Sequence, residues 1–143
     1  DRTLPEWNKG KTFNKYGDKP TMFLIADDVI GGFFAINGGA LGEDLGNVYY
    51  FAPDVLEWEP MDIGYSDFLW WTFTGDLNQF YANARWTGWE EEISEINGNQ
   101  GIAFYPFLWI EHKHIDDLKR KTVPISEIWT FQQDALQQLN KGE

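Results

Sequence analysis

The sequence predicts an α+β fold in which an antiparallel sheet comes first and helices follow. Three observations support this class. Four short apolar runs, rich in aromatic and β-branched residues, occur within the first sixty residues and are separated by turn-forming residues. Beyond residue 65 the apolar spacing changes to that of helices. The chain has 143 residues and no internal repeat, which is the length of one domain.

The four apolar runs are interpreted as sequential strands of a β-meander. They are residues 22–26, 33–37, 48–52 and 55–59. Short or glycine-rich links between them favour antiparallel neighbours. Residues 1–20 are interrupted by glycine and proline and are expected to be loop-like, following an N-terminal segment that is missing here. Residues 21–143 form the predicted single α+β domain.

Capping residues place the helices of the second half. Ser66, Asp76 and Thr87 are each predicted to cap a helix, with Gln79 and Glu90 completing capping-box patterns after the last two.

A strand and a final helix complete the predicted order. Residues 102–110 are expected to return to a strand, in which Pro106 indicates an edge or a bulge. The final helix is predicted to begin at Ser126.

Charge distribution limits the classes of partner. The formal net charge is −12, and no Lys or Arg occurs between Lys19 and Arg85. Ten acids lie in that interval: Asp27, Asp28, Glu43, Asp44, Asp54, Glu57, Glu59, Asp62, Asp67 and Asp76. Such a surface repels phosphate backbones and anionic lipids and attracts basic proteins. We therefore expect neither nucleic acid nor membrane as a direct partner, although the acids could equally serve only solubility.

The stretch DDVIGGFFAINGG, residues 27–39, combines two aspartates with two glycine pairs around a strand. A shared metal or proton at Asp27 and Asp28 is conceivable, but neighbouring side chains point apart, so turn capping is favoured. The glycines match no phosphate loop and are explained by turns and close backbone approach. The following loop, with Glu43 and Asp44, only weakly resembles a calcium site.

Catalytic chemistry is not predicted. The chain has no Cys, which excludes disulfides and thiolate chemistry and is compatible with the cytoplasm. His112 and His114 lie in a polar stretch interpreted as a solvated turn, and Ser66 has no partner at a triad spacing. We expect no catalytic residues, no metal and no cofactor.

The candidate binding site centres on Trp58, an aromatic residue between two acids. The predicted partner-binding residues are Tyr49, Asp54, Glu57, Trp58, Glu59 and Asp62. An aromatic residue among acids on a sheet face is typical of a protein-binding surface, with Trp58 and Tyr49 as anchors. The other tryptophans are mostly expected in the core. The alternative function is binding of a small molecule or carbohydrate on exposed Trp or Tyr faces.

The order of these pieces resembles two known families. "IADDVIGGFFAIN", "GNVYYFAPDVLEWE" and "SDFLWW", within residues 22–73, resemble the central signature of the SUKH superfamily. "INGGALGEDLGNVYYFAPD", "GYSDFL", "TGDLNQFYANARWTGWEEE" and "QGIAFYPFLW" are closely similar to the bacterial family called domain of unknown function 2625, from Thr3 to Trp129.

These resemblances carry expectations of their own. Members of the second family have additional residues before the point where this chain starts. SUKH domains are α+β folds, and many are immunity proteins that neutralise toxins, often nucleases. The long aromatic C-terminal half departs from the SUKH pattern. The resulting hypothesis is a non-catalytic, cytoplasmic protein-binding module, an immunity protein against a basic toxin or nuclease domain, with its oligomeric state left open.

Overall fold

The structure is a computed structural model that describes residues 3–141. The described chain folds into two compact units. The first unit contains residues up to Asp27, Phe33–Phe51 and Trp58–Asp76, and the second contains Asp28–Gly32, Ala52–Glu57 and the residues from Leu77 onward. Strands and helices occur together in one chain, which confirms the predicted α+β class.

The helices and strands follow one another in the order α1, β1 to β4, α2 to α4, β5, β6 and α5. Their bounds are α1 Leu4–Asn8, β1 Met22–Asp27, β2 Phe33–Asn37, β3 Asn47–Ala52, β4 Glu57–Gly64, α2 Tyr65–Thr74, α3 Leu77–Phe80, α4 Trp89–Ser94, β5 Gln100–Tyr105, β6 Lys119–Pro124 and α5 Ile125–Lys141. Short 3-10 turns lie at Ala82–Ala84 and Ile115–Asp117.

The first four strands form the predicted meander in the order β1-β2-β3-β4. β1 and β3 both run antiparallel to β2, with Phe33 opposite Asp27 on one side and opposite Phe51 on the other. The register shifts between Leu24 and Ala26, as a bulge at Ile25 requires. β4 begins two residues later than predicted, because Leu56 takes a left-handed turn conformation with φ +55°.

The core of the first unit is aromatic. Phe33, Phe51 and Phe68 are at most 2% exposed, and the Phe34 ring lies 4.9 Å from that of Phe68. Phe68 belongs to α2, so this contact packs the inner side of that helix on the sheet.

The second unit contains a separate two-stranded sheet of β5 and β6, antiparallel from Gln100↔Pro124 to Tyr105↔Lys119. Its core includes Trp86 and Phe104, whose rings meet edge-on at 5.4 Å, together with Ile30 and Ile102. An ion pair between Arg120 Nε and Glu92 Oε2 (3.0 Å) joins β6 to α4.

Several local predictions differ from the structure. Residues 1–20 were expected to be loop-like, but Thr3 and Glu6 form a capping box that starts α1; residues 1 and 2 lie outside the described part. Ser66 and Thr87 do not cap α2 and α4, which begin after Gly64 and Gly88.

Two further differences concern the strands of the second half. β5 ends at Tyr105, before Pro106, instead of continuing to residue 110. β6 was not predicted, since its polar sequence KRKTVP shows little alternation.

No helix within residues 3–141 combines the length and apolar character needed to cross a lipid bilayer.

Candidate functional site

The six predicted partner-binding residues do not form one surface of one unit. Tyr49, Trp58, Glu59 and Asp62 belong to the first unit, whereas Asp54 and Glu57 belong to the second. The four acids Asp54, Glu57, Glu59 and Asp62 are exposed, as an interaction surface requires. Asp62 also has a left-handed backbone conformation, with φ +60°.

Tyr49 has a structural role in place of the predicted anchor role. Its side chain is only 7% exposed, and its hydroxyl donates to Asp44 Oδ1 at 2.7 Å. This hydrogen bond is the main cause that lowers the pKa of Asp44 below its ordinary value, and it also raises the pKa of Tyr49. A partner could not reach the Tyr49 ring without opening the loop that follows β2.

Asn37 organises that same loop from its centre. The side chain is 1% exposed and donates through Nδ2 to the Gly42 carbonyl at 2.9 Å and to Asp44 Oδ1 at 3.1 Å. Its Oδ1 accepts from the Gly39 and Leu41 amides at 2.8 and 3.0 Å. The Asp44 carboxylate therefore faces hydrogen-bond donors, which argues against the weak calcium resemblance of this loop.

Trp58 is half-buried and packs against the first unit's core. Its ring centroid lies 5.1 Å from that of Phe51, which is 1% exposed. Along β4 the exposure alternates from exposed Glu57 to half-buried Trp58 to exposed Glu59. Trp58 thus points to the side opposite the acids, because adjacent strand residues face opposite ways.

Among the described residues, the two most exposed aromatic side chains lie instead on α2. Trp70 is 70% exposed and Phe73 84% exposed, and Leu69 beside them is 42% exposed. These positions are one, three and four residues apart, so they share one face of the helix. Phe68 and Trp71 lie within ring-contact distance of Phe34 and form the inner side of the same helix. We call Leu69, Trp70 and Phe73 the α2 aromatic face.

The sequence pattern does not predict which side of α2 is exposed. Apolar residues occupy both sides of α2, in the run FLWW, so periodicity could not separate the packed side from the exposed side. For that reason the sequence pattern places Trp70 among the tryptophans expected in the core. The available signal was the number of large apolar residues in ten helical positions, which exceeds what one face can bury.

The first unit has exposed acids close to this face in the sequence. Asp67 lies on α2 itself, and Glu59 and Asp62 lie on the preceding strand; all three are exposed. Every Lys and Arg of this unit occurs within its first nineteen residues. The remainder of the unit, which includes the face, contains acids but no base.

Asp28 caps a turn, as favoured from the sequence. Its Oδ1 accepts from the Gly32 amide at 2.6 Å and the Ile30 amide at 3.2 Å. Its Oδ2 accepts from the Tyr81 hydroxyl at 2.9 Å. Burial and the Asp28 charge together raise the pKa of Tyr81. The carboxylate is thereby used for structure.

The stretch Ile110–His114 contains neither helix nor strand, as expected of the histidine-containing turn. His112 Nδ1 lies 2.9 Å from the Ile110 carbonyl. In the part of the chain that the structure describes, no three His, Asp or Glu side chains are grouped so that they could hold a metal ion.

Comparison with known proteins gives a family and no activity. The sequence profile described as "Protein of unknown function DUF2625" matches residues 1–128. The Escherichia coli K12 protein YbfG, described as uncharacterized, is 49% identical over 108 residues, 76% of this chain and 49% of its own length. An uncharacterized protein of Haemophilus influenzae is 40% identical over 125 residues, 87% of this chain and 55% of its own length.

The chain therefore spans about half the length of these curated relatives. No solved structure matches it at a significant level.

Proposed function

The chain belongs to the family of unknown function DUF2625. We propose that it is a non-catalytic module that binds a basic protein. The proposal rests on the α2 aromatic face, in which Trp70 is 70% exposed and Phe73 is 84% exposed. Exposed acids lie close to these residues in the sequence of the same unit. Exposed clusters of large apolar side chains on a soluble surface are typical of protein-interaction sites.

The two chemical features have separate tasks. Glu59, Asp62 and Asp67 provide a field that steers a cationic partner and accelerates encounter. Trp70 and Phe73 provide the apolar area that slows dissociation, since aromatic anchors dominate binding energy at interfaces. They replace Tyr49 and Trp58 as anchors, because those two side chains pack within the first unit. Asp54 and Glu57 remain candidates for steering because both are exposed.

The partner class follows from charge complementarity. A basic partner presents Lys or Arg side chains, as a nuclease must toward phosphate. The SUKH resemblance supports a cytoplasmic immunity role against such a toxin domain. Co-expression with a toxin gene adjacent to the chain's own gene tests this form of the proposal: restored growth supports immunity, and unchanged killing contradicts it.

The binding proposal is tested by photocrosslinking in bacterial cells. A benzoylphenylalanine at position 73 should capture a partner of basic isoelectric point, and a benzoylphenylalanine at Tyr16, also exposed, should not. Trp70→Gln should abolish the capture at position 73, whereas Leu45→Gln, at an equally exposed apolar residue of the same unit, should leave it unchanged. Captured proteins that are acidic, or capture that survives Trp70→Gln, would contradict the proposal.

A further inference from the structure

The second unit contains a cavity of about 210 Å³ beside β5 and α5. Aliphatic and aromatic side chains line most of it, together with one amide and the charged residues Lys121 and Glu127. The lining residues that matter here are Ile102, Phe104, Phe107, Trp109, Phe131 and Gln132. Apolar cavities of about 150 Å³ stay dry and accept a benzene ring, so this volume suits one ring or a fused pair.

Aromatic rings shape one wall of the cavity. Phe107 and Trp109 stack with their centroids 4.6 Å apart and their planes 12° from parallel. The Phe131 ring lies 6.1 Å from that of Phe107. Flat, parallel faces of this kind favour a planar aromatic ligand over a branched aliphatic one.

Gln132 contributes a buried amide to the cavity lining, and only the Nε2 half of that amide has a hydrogen-bond partner. The side chain is 1% exposed, and Nε2 donates to the Gly31 carbonyl at 2.7 Å. That bond fixes the orientation of the amide, because a flipped amide would set two oxygens against each other. Among residues 3–141 nothing donates to Oε1. Buried acceptors in folded proteins nearly always have a donor.

We propose that this cavity binds a small, neutral, planar aromatic compound that donates one hydrogen bond, through N–H or O–H, to Gln132 Oε1. A neutral ligand fits because the charged lining residues are one cation and one anion, Lys121 and Glu127. The inference concerns the second unit alone and is independent of the proposed partner surface on the first.

Indole and benzofuran provide a matched pair of probes. They have nearly the same size and shape, but benzofuran has a ring oxygen where indole has the N–H donor. Isothermal titration of the unchanged protein should give saturable indole binding, with benzofuran at least about tenfold weaker because Oε1 stays unpaired. Equal affinity for both compounds, or binding of neither, overturns the proposal.

Two variants locate the binding. Ala103→Leu adds carbons at a residue that lines the cavity and should weaken indole binding at least about tenfold by occupying its space. Ala82→Leu makes the same change at an exposed position outside the lining and should leave indole binding unaltered. Indole affinity that is unchanged in a folded Ala103→Leu protein overturns the assignment to this cavity.

Gln132→Met tests the hydrogen bond from the protein side. It introduces an apolar side chain of similar length and removes both the Oε1 acceptor and the Nε2 donor to the Gly31 carbonyl, so the preference for indole over benzofuran should disappear. A preference that persists in the folded variant overturns the role given to Oε1. If this variant does not fold, the comparison of the two probes on the unchanged protein still decides the proposal.

Discussion

The Asn8 side chain makes the two hydrogen bonds with the Leu24 backbone that a neighbouring strand would otherwise make. It is fully buried, its Oδ1 accepts from the Leu24 amide at 2.7 Å, and its Nδ2 donates to the Leu24 carbonyl at 2.9 Å. Both backbone groups of a buried edge residue are thereby satisfied, which fastens α1 to β1.

Asn8→Ala should therefore lower the free energy of unfolding by about 3 kcal/mol, because it leaves two buried backbone groups unpaired at roughly 1–3 kcal/mol each. Asn14→Ala, at an exposed position in the same segment, should change it by less than about 0.5 kcal/mol. Urea denaturation measures both. A small effect of Asn8→Ala would show that water replaces its hydrogen bonds.

The Tyr49–Asp44 hydrogen bond makes a prediction about pH. Because the bond lowers the folded-state pKa of Asp44, its contribution to stability is present above the unfolded-state pKa and is lost as the pH falls through the folded-state value. Tyr49→Phe should raise the pKa of Asp44 toward the ordinary aspartate value, as followed by carboxyl NMR. Tyr16→Phe, at a 56% exposed ring, is the control and should leave it unmoved. If the pKa of Asp44 were unchanged in the Tyr49→Phe variant, the hydrogen bonds from Asn37 and Asn47 alone would set that pKa.

At the scale of elements, Gly31 permits the contact between the Asp28–Gly32 turn and α5. Its φ is +92°, and a Cβ there would lie 2.6 Å from Ile128 Cγ2. Gly88 has a similar φ of +83° but open space around the missing Cβ.

Gly88→Ala should cost about 1 kcal/mol from backbone strain alone. Gly31→Ala should cost about 3 kcal/mol, since overpacking adds to the same strain. Thermal unfolding of the two variants separates the contributions. Equal losses would show that α5 moves aside without cost.

Elements differ in how far their sequences determine them. The meander was predictable because each strand is an apolar run bounded by turn residues. Its glycines allow turns and close backbone approach. At Gly38, for example, a Cβ would lie 2.9 Å from the Pro20 carbonyl oxygen. β6 was not predictable, since four of its six residues are exposed and only Arg120 and Val123 are half-buried. Its position depends on pairing with β5 across a long loop, which no local pattern reveals.

At the scale of the whole molecule, the sequence predicts an acidic surface but not which aromatic side chains stay exposed. Acid density is a property of composition, so an acidic surface could be expected from the sequence. The exposure of an aromatic side chain depends on whether the core has space for it. Tyr49 and Trp58 pack inside, while Trp70 and Phe73 stay exposed, and this division is decided by tertiary contacts to Phe51, Phe34 and Asp44.

In the proposed complex, the acids steer a basic partner and the α2 aromatic face holds it. Surface plasmon resonance with the captured partner measures the two effects separately, as association and dissociation rates. Asp62→Lys combined with Asp67→Lys should slow association about tenfold at low salt and lose that effect at high salt, because the field is screened. Trp70→Gln combined with Phe73→Gln should speed dissociation at least about tenfold, while Leu45→Gln leaves both rates unchanged. Association that is insensitive to salt and to charge reversal, with dissociation unaltered by the aromatic changes, would show that neither the acids nor the α2 aromatic face binds the partner.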